Sequence, residues 1–378
     1  MLYLIGVIIS FFLAFLLLVK KNKNIADKIL FFWLLVIGFH LFMAYLFFIE
    51  KIINYAFLLG INIPFPLLHG PFLYLYTAAV TNQLKNWKIN TVHFLPTIIS
   101  YLSILNFFLL SNEEKTLVFV NQGQDYEKIT YIIYIAVFCS GIIYVIWSLL
   151  LLKKHRRNIL NQFSYSEKVN LAWLRYLIYG IGLIWVFVIL GNDRLLFSTA
   201  VLFVIFIGYF GINQVGIFTQ KTPLIDNNSV IQNEINQSFV DELIKEIKPK
   251  KYIKSGLSRE VTLEIYELLK TRMNKEQLYV NSELTLVELA QTLDVLPNNL
   301  SQVINTFEQK NFYDYINSKR VELFIKLVAI PENKKYTILS LAYDCGFNSK
   351  SSFNKYFKKV TNQTPSEYLN SLKEKPIS

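Results

Sequence analysis

The fold of the C-terminal part is decided by the stretch Thr337-Ile-Leu-Ser-Leu-Ala-Tyr-Asp-Cys-Gly-Phe347, which is followed by Ser352-Phe-Asn-Lys-Tyr-Phe-Lys-Lys359. Apolar residues recur at helical spacing in both segments, and Gly346 between them permits a tight turn that a side chain would crowd. The pattern predicts two helices around a turn, the second at 349–359. The residues expected to pack inside are Ile338, Leu341, Ala342, Phe353, Tyr356 and Phe357.

A similar helix-turn-helix pattern lies upstream. Thr285 and Glu288 form the S/T-x-x-E capping box that begins a helix, and Pro297 suits the first position of the next helix, at 297–307. The residues predicted to be buried are Leu286, Leu289, Ala290, Leu300, Val303 and Ile304. The residues predicted to point outward are Asn298, Asn299, Ser301, Gln302 and Asn305. Because Asn and Gln can pair bidentately with adenine, this face is suited to reading base edges.

A longer helix at 312–328 is predicted to join the two units. It begins in the string Asn311-Phe-Tyr-Asp-Tyr-Ile-Asn-Ser-Lys-Arg320. Its predicted buried stripe consists of Phe312, Ile316, Leu323 and Leu327. Further along, Thr364-Pro-Ser-Glu367 is another capping box with proline at the first helical position, so a closing helix is expected after it.

Residues 284–369 resemble the DNA-binding domain of the AraC/XylS family of transcription regulators. The resemblance rests on two units at this spacing, the Gly-Phe pair at 346–347 and Thr364-Pro-Ser-Glu-Tyr368. It implies an all-α domain, taken here as 276–378, with two reading helices in successive major grooves of promoter DNA, roughly 34 Å apart. The positions carried over are Asn298, Asn299 and Gln302 in the first helix, and Lys350, Ser351, Asn354 and Lys355 in the second. With the outward residues added, the candidate DNA-binding set is Asn298, Asn299, Ser301, Gln302, Asn305, Lys350, Ser351, Asn354, Lys355 and Lys358.

The sequence departs from the family pattern at four positions. Leu296 stands where the family often has a Ser cap, Gln309 and Asn362 occupy usual Gly positions, and Phe324 occupies a usual Ala position. Asn tolerates the left-handed conformation, so Asn362 is a mild departure. Phe324 puts the expected packing of the joining helix in question. All four positions lie outside the predicted reading residues.

Charge in the DNA-binding region is local. From Glu276 to the end, 12 Lys and Arg face 11 Asp and Glu, a net charge of +1. The basic residues of the second unit are Lys334, Lys335, Lys350, Lys355, Lys358 and Lys359, against Asp344. Since DNA binding relies on phosphate neutralisation, we expect modest affinity from one protomer, with help from a homodimer or clustering.

The first 213 residues have the composition of a membrane domain. The chain is 53% hydrophobic, above the usual range of soluble domains, and the apolar residues concentrate in this part. Seven stretches approach or exceed the roughly 17–25 residues that span a bilayer. They lie at 2–19, 29–49, 64–80, 92–110, 129–152, 171–190 and 195–212. The positive charges follow the first stretch and no small-residue cleavage site is present, so we expect a first span and not a signal peptide. The predicted fold is therefore all-α, a seven-helix transmembrane bundle followed by a cytoplasmic domain with two helix-turn-helix units.

Basic residues in the loops predict the orientation. Loops after the first, third and fifth spans carry eleven Lys and Arg: Lys20, Lys21, Lys23, Lys28, Lys85, Lys88, Lys153, Lys154, Arg156, Arg157 and Lys168. The alternate loops carry four: Lys51, Lys115, Lys128 and Arg194. Because cytoplasmic loops are enriched in Lys and Arg, the N-terminus is expected outside and the C-terminal domain in the cytoplasm, with the chain in the inner membrane.

A polar linker is predicted at 214–257, followed by a connector helix at 258–275. Ser258 offers an N-cap and Glu260 suits the first turn of this helix. The apolar residues Val261, Ile265, Leu268 and Leu269 follow at helical spacing. The helix either packs on the DNA-binding domain, which we favour, or pairs with a second protomer.

Patterns that carry catalysis or metal binding are missing from the sequence. The four histidines, His40, His69, His93 and His155, are scattered, and Cys139 and Cys345 fall in different domains. We therefore expect no metal, no cofactor, no catalytic residue and no enzyme activity, and a histidine kinase is excluded because no ATP-binding region is recognisable. His40 and His69 are expected to be packed residues, each with a helix partner. The alternative is that 64–71 forms a bend lining a ligand cavity.

These observations predict a membrane-bound regulator of transcription. Its membrane domain would sense an unknown signal, and its C-terminal domain would bind double-stranded promoter DNA sequence-specifically and contact RNA polymerase if it activates. The alternative is a membrane transport or scaffold protein whose C-terminal domain recruits a protein partner. A third hypothesis is proteolytic release of the DNA-binding domain at the polar linker, although the sequence names no cleavage site.

Overall fold

The chain divides into two compact units. The computed structural model describes residues 2–84, 87–165, 171–213 and 258–374. One unit comprises Met1–Lys153 and Leu171–Glu246, and the other comprises Lys154–Asn170 and Ile247–Ser378. Within these described ranges the fold is helical without a β-strand, as predicted. The predicted linker at 214–257 lies outside the described residues.

Ten α-helices precede residue 214 in the described chain. They are α1 Leu2–Val19, α2 Ile25–Phe48, α3 His69–Val80, α4 Trp87–Thr91, α5 Leu95–Ser103, α6 Leu105–Phe108, α7 Asn112–Val120, α8 Glu127–Gln162, α9 Ala172–Ile189 and α10 Asp193–Asn213. The core of the first unit lies where α1, α2, α9 and α10 pack together, around Trp33, Leu34, Leu174 and Val204.

Five helical segments in the described residues are long and apolar enough to cross a membrane. They are Leu2–Val19, Ile25–Phe48, Gln124–Gln162, Ala172–Ile189 and Asp193–Phe210, with mean hydropathies from 1.7 to 2.9. They correspond to the first, second, fifth, sixth and seventh predicted spans. Many of their large apolar side chains are exposed to the surroundings, as bilayer-facing residues would be.

The third and fourth predicted spans are not continuous α-helices in the structure. At 64–80, a 3-10 turn at Phe65–Leu68 precedes α3, which has only 12 residues. Pro64 and Pro66 explain the interruption, because proline lacks the N–H that an α-helix needs. At 92–110, α5 ends at Ser103 and Ile104 leaves the helical region with φ −111° and ψ 19°. Ser103 Oγ bonds the Ser100 carbonyl and Asn106 Oδ1 accepts from the Phe107 amide, so polar side chains compete for backbone groups there.

A buried ion pair fixes the connection between α1 and α2. The Lys20 ammonium donates to both carboxylate oxygens of Asp27, at 2.9 and 2.8 Å, and both side chains are 4% exposed. Asp27 also accepts from the Asn24 amide while Asn24 Oδ1 accepts from the Asp27 amide, which makes a capping box. This box begins α2 at Ile25, four residues before the predicted start of the second span.

His40 and His69 contact each other. The Trp33 indole N–H donates to His69 Nδ1 at 3.3 Å, and His69 Nε2 lies 2.9 Å from His40 Nδ1. Because indole can only donate, His69 Nδ1 must accept, so the proton lies on His69 Nε2 and points at His40. Each histidine therefore has a helix partner, as expected. A groove of about 470 Å³ lies elsewhere on the bundle, lined by Lys28, Ile29, Phe32, Leu35, Val36, Phe72, Leu75 and Phe94, and residues 64–71 are not among those that line it.

The second unit contains seven further described α-helices. They are α11 Arg259–Glu276, α12 Leu286–Thr292, α13 Pro297–Glu308, α14 Phe312–Ala329, α15 Ile338–Asp344, α16 Lys350–Thr361 and α17 Pro365–Glu374. Ser258 Oγ accepts from the Val261 amide, so the predicted N-cap of the connector helix is present. Ile265, Leu269 and Met273 of α11 join one core with Leu289 and Val303. The connector helix thus packs on the DNA-binding domain, which is the alternative we favoured.

We expect Asp27→Ala to destabilise the bundle strongly. The substitution leaves a buried ammonium without its carboxylate and removes the cap of α2, so a loss of about 3–5 kcal/mol is expected. The matched control is Glu114→Ala, which opens the exposed capping box between Ser111 and Glu114 at α7 and should cost about 1 kcal/mol or less. Thermal unfolding of both variants in detergent micelles measures the difference. Equal melting temperatures would contradict the role of the buried pair.

Candidate nucleic-acid interface

The first candidate reading helix, α13, has one apolar and one polar side. Its N-cap, Leu296, makes no side-chain cap bond, and Pro297 occupies the first position. Leu300, Val303 and Ile304 are fully buried against the core, as predicted. The polar side is therefore held outward by a fixed apolar side, which is what base reading in a groove requires.

The predicted reading residues of α13 differ in accessibility. Asn298, Gln302 and Asn305 are exposed, whereas Asn299 and Ser301 are half-buried. The Asn305 amide nitrogen donates to the Ser301 carbonyl at 2.8 Å. Asn305 would have to give up this helix bond to donate to a base, so Asn298 and Gln302 are the better placed of the exposed amides.

The second candidate reading helix, α16, is capped at both ends. Ser349 Oγ accepts from the Ser352 amide at 3.1 Å, and Asn362 ends the helix in the left-handed conformation with φ 60°. Its buried side consists of Ser352, Phe353, Tyr356 and Phe357. All five predicted contact residues of this helix are exposed: Lys350, Ser351, Asn354, Lys355 and Lys358.

Lys358 and Lys359 are neighbours with different surroundings. The Lys359 ammonium lies 2.8 Å from Asp314 Oδ1 on α14 and 5.2 Å from the centre of the Tyr356 ring. The Tyr356 hydroxyl also donates to Asp314, and burial together with this carboxylate raises the tyrosine pKa above its ordinary value. Lys359 thus belongs to an internal network, and Lys358 is the one of the two that is available to a phosphate.

The turn of the second unit depends on Gly346. Its φ is +93°, and an added Cβ would lie 2.6 Å from the Val280 carbonyl oxygen and 2.7 Å from the Tyr279 carbonyl oxygen. The predicted need for glycine at this position is confirmed. The atoms that an added Cβ would meet belong to the backbone of the loop that precedes the first helix-turn-helix unit. Phe347, directly after Gly346, is buried in the core of the second helix-turn-helix unit.

A buried arginine, which the sequence analysis missed, connects the two helix-turn-helix units. Arg320 on α14 is 2% exposed, and its guanidinium donates to the carbonyls of Tyr279 and Asn281, both at 2.7 Å. Its guanidinium carbon lies 5.9 Å from the centre of the Phe347 ring. Burial lowers the pKa of Arg320 to about 10, so it stays charged at neutral pH. The only sequence signal was a charged residue one turn after Ile316, on a helix whose neighbours are apolar.

The joining helix α14 is buried more widely than predicted. Phe312 and Ile316 are buried as expected, but Leu323 and Leu327 are only half-buried. The buried residues include Tyr313, Tyr315, Asn317, Ser318, Arg320, Val321 and Phe324. The reason is that α14 contributes to two cores, that of the first helix-turn-helix unit and that of the second. A single apolar stripe along the helix therefore does not describe its burial.

Three of the four departures from the family pattern are accommodated, and the fourth, Leu296, leaves α13 without a side-chain cap. Gln309 adopts the left-handed conformation with φ 52°, as Asn362 does, so both take up the backbone shape that glycine favours. Phe324 is fully buried, with its ring 4.7 Å from that of Phe353 and 5.5 Å from that of Phe357. Phe324, which is larger than the usual alanine, fills the core of the second helix-turn-helix unit. Both predicted capping boxes are confirmed, at Thr285 with Glu288 and at Thr364 with Glu367.

Comparison with known proteins agrees with this geometry. Residues 289–371 match the family model of a helix-turn-helix domain. These residues form an AraC-type helix-turn-helix domain. Domains of this type act in transcription regulation by binding DNA.

A curated relative also matches part of the chain. Histidine kinase P4 of Formosa agariphila is 24% identical over 157 residues, which are 42% of this chain and 11% of that protein. The chain therefore spans about a tenth of the length of the kinase that it matches. No solved structure matches the chain. In the described ranges no group of three or more His, Cys, Asp or Glu is placed to hold a metal ion.

We expect Gly346→Ala to destabilise the AraC-type domain by about 2 kcal/mol or more. A left-handed backbone strains any L-residue, and the new Cβ would meet two backbone carbonyls that cannot move aside. The control is Gly123→Ala, at a glycine that is also left-handed but has nothing within 4 Å of its Cβ position. Hydrogen exchange of α15 and α16 in the purified chain measures the first effect. Unchanged protection in Gly346→Ala would contradict the close approach.

We expect Gln309→Gly to stabilise the same domain by about 1 kcal/mol, because glycine adopts the left-handed conformation without the steric cost that a Cβ carries. Gln309→Ala is the matched control and should give no gain, since alanine keeps the Cβ. The measurement is the slowing of hydrogen exchange in α13 and the start of α14. A gain of the same size from alanine would show that the glutamine side chain, and not the backbone, was the cause.

Proposed function

We propose that this chain is a membrane-embedded transcription regulator of the one-component type. Its AraC-type domain binds promoter DNA sequence-specifically through α13 and α16, and its apolar helices sense a signal in or across the membrane. The observation that carries the proposal is one chain with two polar helix faces exposed on a helix-turn-helix domain and five long apolar helices before it. The signal itself is left open.

The number of membrane crossings supports opposite sides for the two ends of the chain. The two predicted spans that the structure interrupts are consecutive, so five crossings or seven give the same odd parity. The basic segments after the first and fifth predicted spans, at 20–28 and 153–168, lie on the same side in either case. The bias of Lys and Arg then favours an N-terminus outside and an AraC-type domain in the cytoplasm, at the inner membrane.

A second observation supports the same orientation. The segment Lys154–Asn170, which begins with the last part of α8, belongs to one compact unit with the AraC-type domain, so this segment and the domain share a compartment. The apolar helices α9 and α10 lie between them in sequence, and two crossings return the chain to the side it left. The loop in question is also the one richest in Lys and Arg.

Within the interface, we assign different roles to the two reading helices. Asn298, Asn299, Ser301, Gln302 and Asn305 of α13 face base edges, with Gln302 and Asn298 as the main readers because they are exposed. Lys350, Ser351, Asn354, Lys355 and Lys358 of α16 serve the groove and the phosphates. The net charge of the domain is small, so binding as a homodimer on adjacent half-sites would raise affinity. RNA polymerase is a further partner if the protein activates transcription.

The test begins with genome-wide mapping of sites bound by the full chain in cells, followed by binding of those sites to the chain in lipid nanodiscs. A transport or scaffold protein would give no enriched, sequence-defined sites. Failure to enrich any site, together with transport of a solute by the same preparation, would overturn the proposal.

We expect Gln302→Ala and Lys358→Ala to weaken DNA binding in different ways. Loss of a base contact should cost about 1–3 kcal/mol on the preferred site and little on random DNA, so specificity falls. Loss of a phosphate contact should weaken both equally and reduce the slope of log affinity against log salt by about one. Lys359→Ala is the matched control, because Lys359 is paired with Asp314 and should leave the salt slope nearly unchanged. Equal slopes for all three variants would contradict the assignment of Lys358.

A further inference from the structure

A short segment after the longest apolar helix is built into the AraC-type domain. We call Ile159–Tyr165 the strap; it comprises the end of α8 and the three residues that follow. The Ser164 amide donates to the Leu284 carbonyl at 3.1 Å, and Phe163 forms an antiparallel bridge with Thr285. Leu160 packs against the core of the second helix-turn-helix unit. The strap is therefore seated on the domain by backbone bonds and by an apolar contact.

Ser164 completes the bonding of the buried arginine. The Arg320 guanidinium donates to the Ser164 carbonyl at 3.2 Å and to Ser164 Oγ at 3.1 Å. The Asn317 amide nitrogen donates to the same carbonyl at 3.1 Å. Ser164 is 1% exposed, so water cannot replace these bonds while the strap is in place. Without the strap, a buried cation would lose two of its five acceptor bonds, which is costly in a low-dielectric interior.

Arg320 also bonds to the segments of the domain on which the placement of the two reading helices depends. It binds the carbonyls of Tyr279 and Asn281, and the Tyr279 and Val280 carbonyls lie against the turn at Gly346. It stands on α14, which contributes to both cores. A change at Ser164 therefore reaches the loop before α12 and the turn before α16 through direct contacts.

The docked strap leaves the reading faces open. Its polar partners are Leu284, Asn317 and Arg320, and its bridge partner is Thr285. With the strap in place, Asn298 and Gln302 of α13 and all five candidate residues of α16 remain exposed. The strap therefore does not cover these candidate reading residues. What the strap contributes is support for the framework that holds the two helices.

We propose that the cleft formed by Leu284, Thr285, Asn317 and Arg320 is the site through which the membrane helices control DNA binding, with the strap as its occupant. This rests on the proposed function. The chain binds DNA when the strap is docked. Withdrawal of the strap loosens the packing of the two helix-turn-helix units and weakens DNA binding. The strap continues α8 without a break, and α8 is one of the apolar helices. A shift of that helix by about 1.5 Å, the rise of one residue, moves Ser164 beyond hydrogen-bond range when it draws Ser164 directly away from Arg320.

The experiment uses the full chain in lipid nanodiscs with its mapped DNA site. Ser164→Leu cannot fit where Ser164 is buried and should expel the strap, whereas Ser164→Ala keeps the backbone bonds and is the matched control. We expect faster hydrogen exchange at 159–165 and about tenfold weaker DNA binding for leucine, and no more than about threefold weaker binding for alanine. Faster exchange with unchanged or tighter DNA binding would overturn the proposal.

A reversible lock separates release of the strap from misfolding of the domain. Phe163→Cys with Thr285→Cys, in a Cys139→Ala background, pairs two bridge partners whose Cα separation suits a disulfide. In the Ser164→Ala chain, where the smaller side chain leaves room for the strap to dock, oxidation should restore full DNA binding and reduction should return it to the weaker value. A disulfide that forms without restoring binding would overturn the proposal, as would failure of the pair to form in a chain with Ser164. If the unaltered chain binds no DNA although the disulfide forms in the chain with Phe163→Cys and Thr285→Cys, the failure lies in the proposed function, and the coupling falls with it.

Discussion

The AraC-type domain depends on a charged side chain in its interior. Arg320 is 2% exposed. Its guanidinium donates to oxygen atoms on the loop before α12, on the strap and on its own helix α14. A buried guanidinium must be fully bonded, since an unpaired charge there costs several kcal/mol. That constraint ties together the loop before the first helix-turn-helix unit, the joining helix and the strap. The relative placement of α13 and α16 follows from it.

In the proposed interface, different helices provide specificity and affinity. The polar side of α13 is rich in amides and carries no charge, and that of α16 carries three exposed lysines among its candidate residues, Lys350, Lys355 and Lys358. Base edges are read by hydrogen bonds, and phosphates are held by charge. With so small a net charge, the domain gains little from non-specific attraction. A low background of non-specific binding would suit the membrane-bound regulator that we propose, which would have to release DNA when its signal changes.

The apolar half of the chain also places polar groups where water is excluded. Lys20 and Asp27 neutralise each other at the connection of α1 and α2, and Trp33, His69 and His40 form a chain of hydrogen bonds. In a membrane such groups persist only when paired, so both clusters fix the packing of the helices that carry them. Their positions on α2 and α3 make these helices a well-defined part of the bundle. The sequence showed the residues but not their partners.

The sequence by itself determined the helical elements, their caps and the faces of α13 and α16. Capping boxes, Pro297, Gly346 and the apolar spacing act within a few residues, so local chemistry suffices to predict them. It also indicated five segments that form long apolar helices, while prolines and backbone-bonding Ser and Asn side chains interrupt the helix within the third and fourth predicted spans. Only the tertiary structure decided the partners of Arg320, the pairing of Lys359 with Asp314 and the docking of Ser164. Apart from the bond of Arg320 to Asn317 on its own helix, those bonds join residues 39 to 156 positions apart, and no periodicity in a single chain specifies which distant groups will meet.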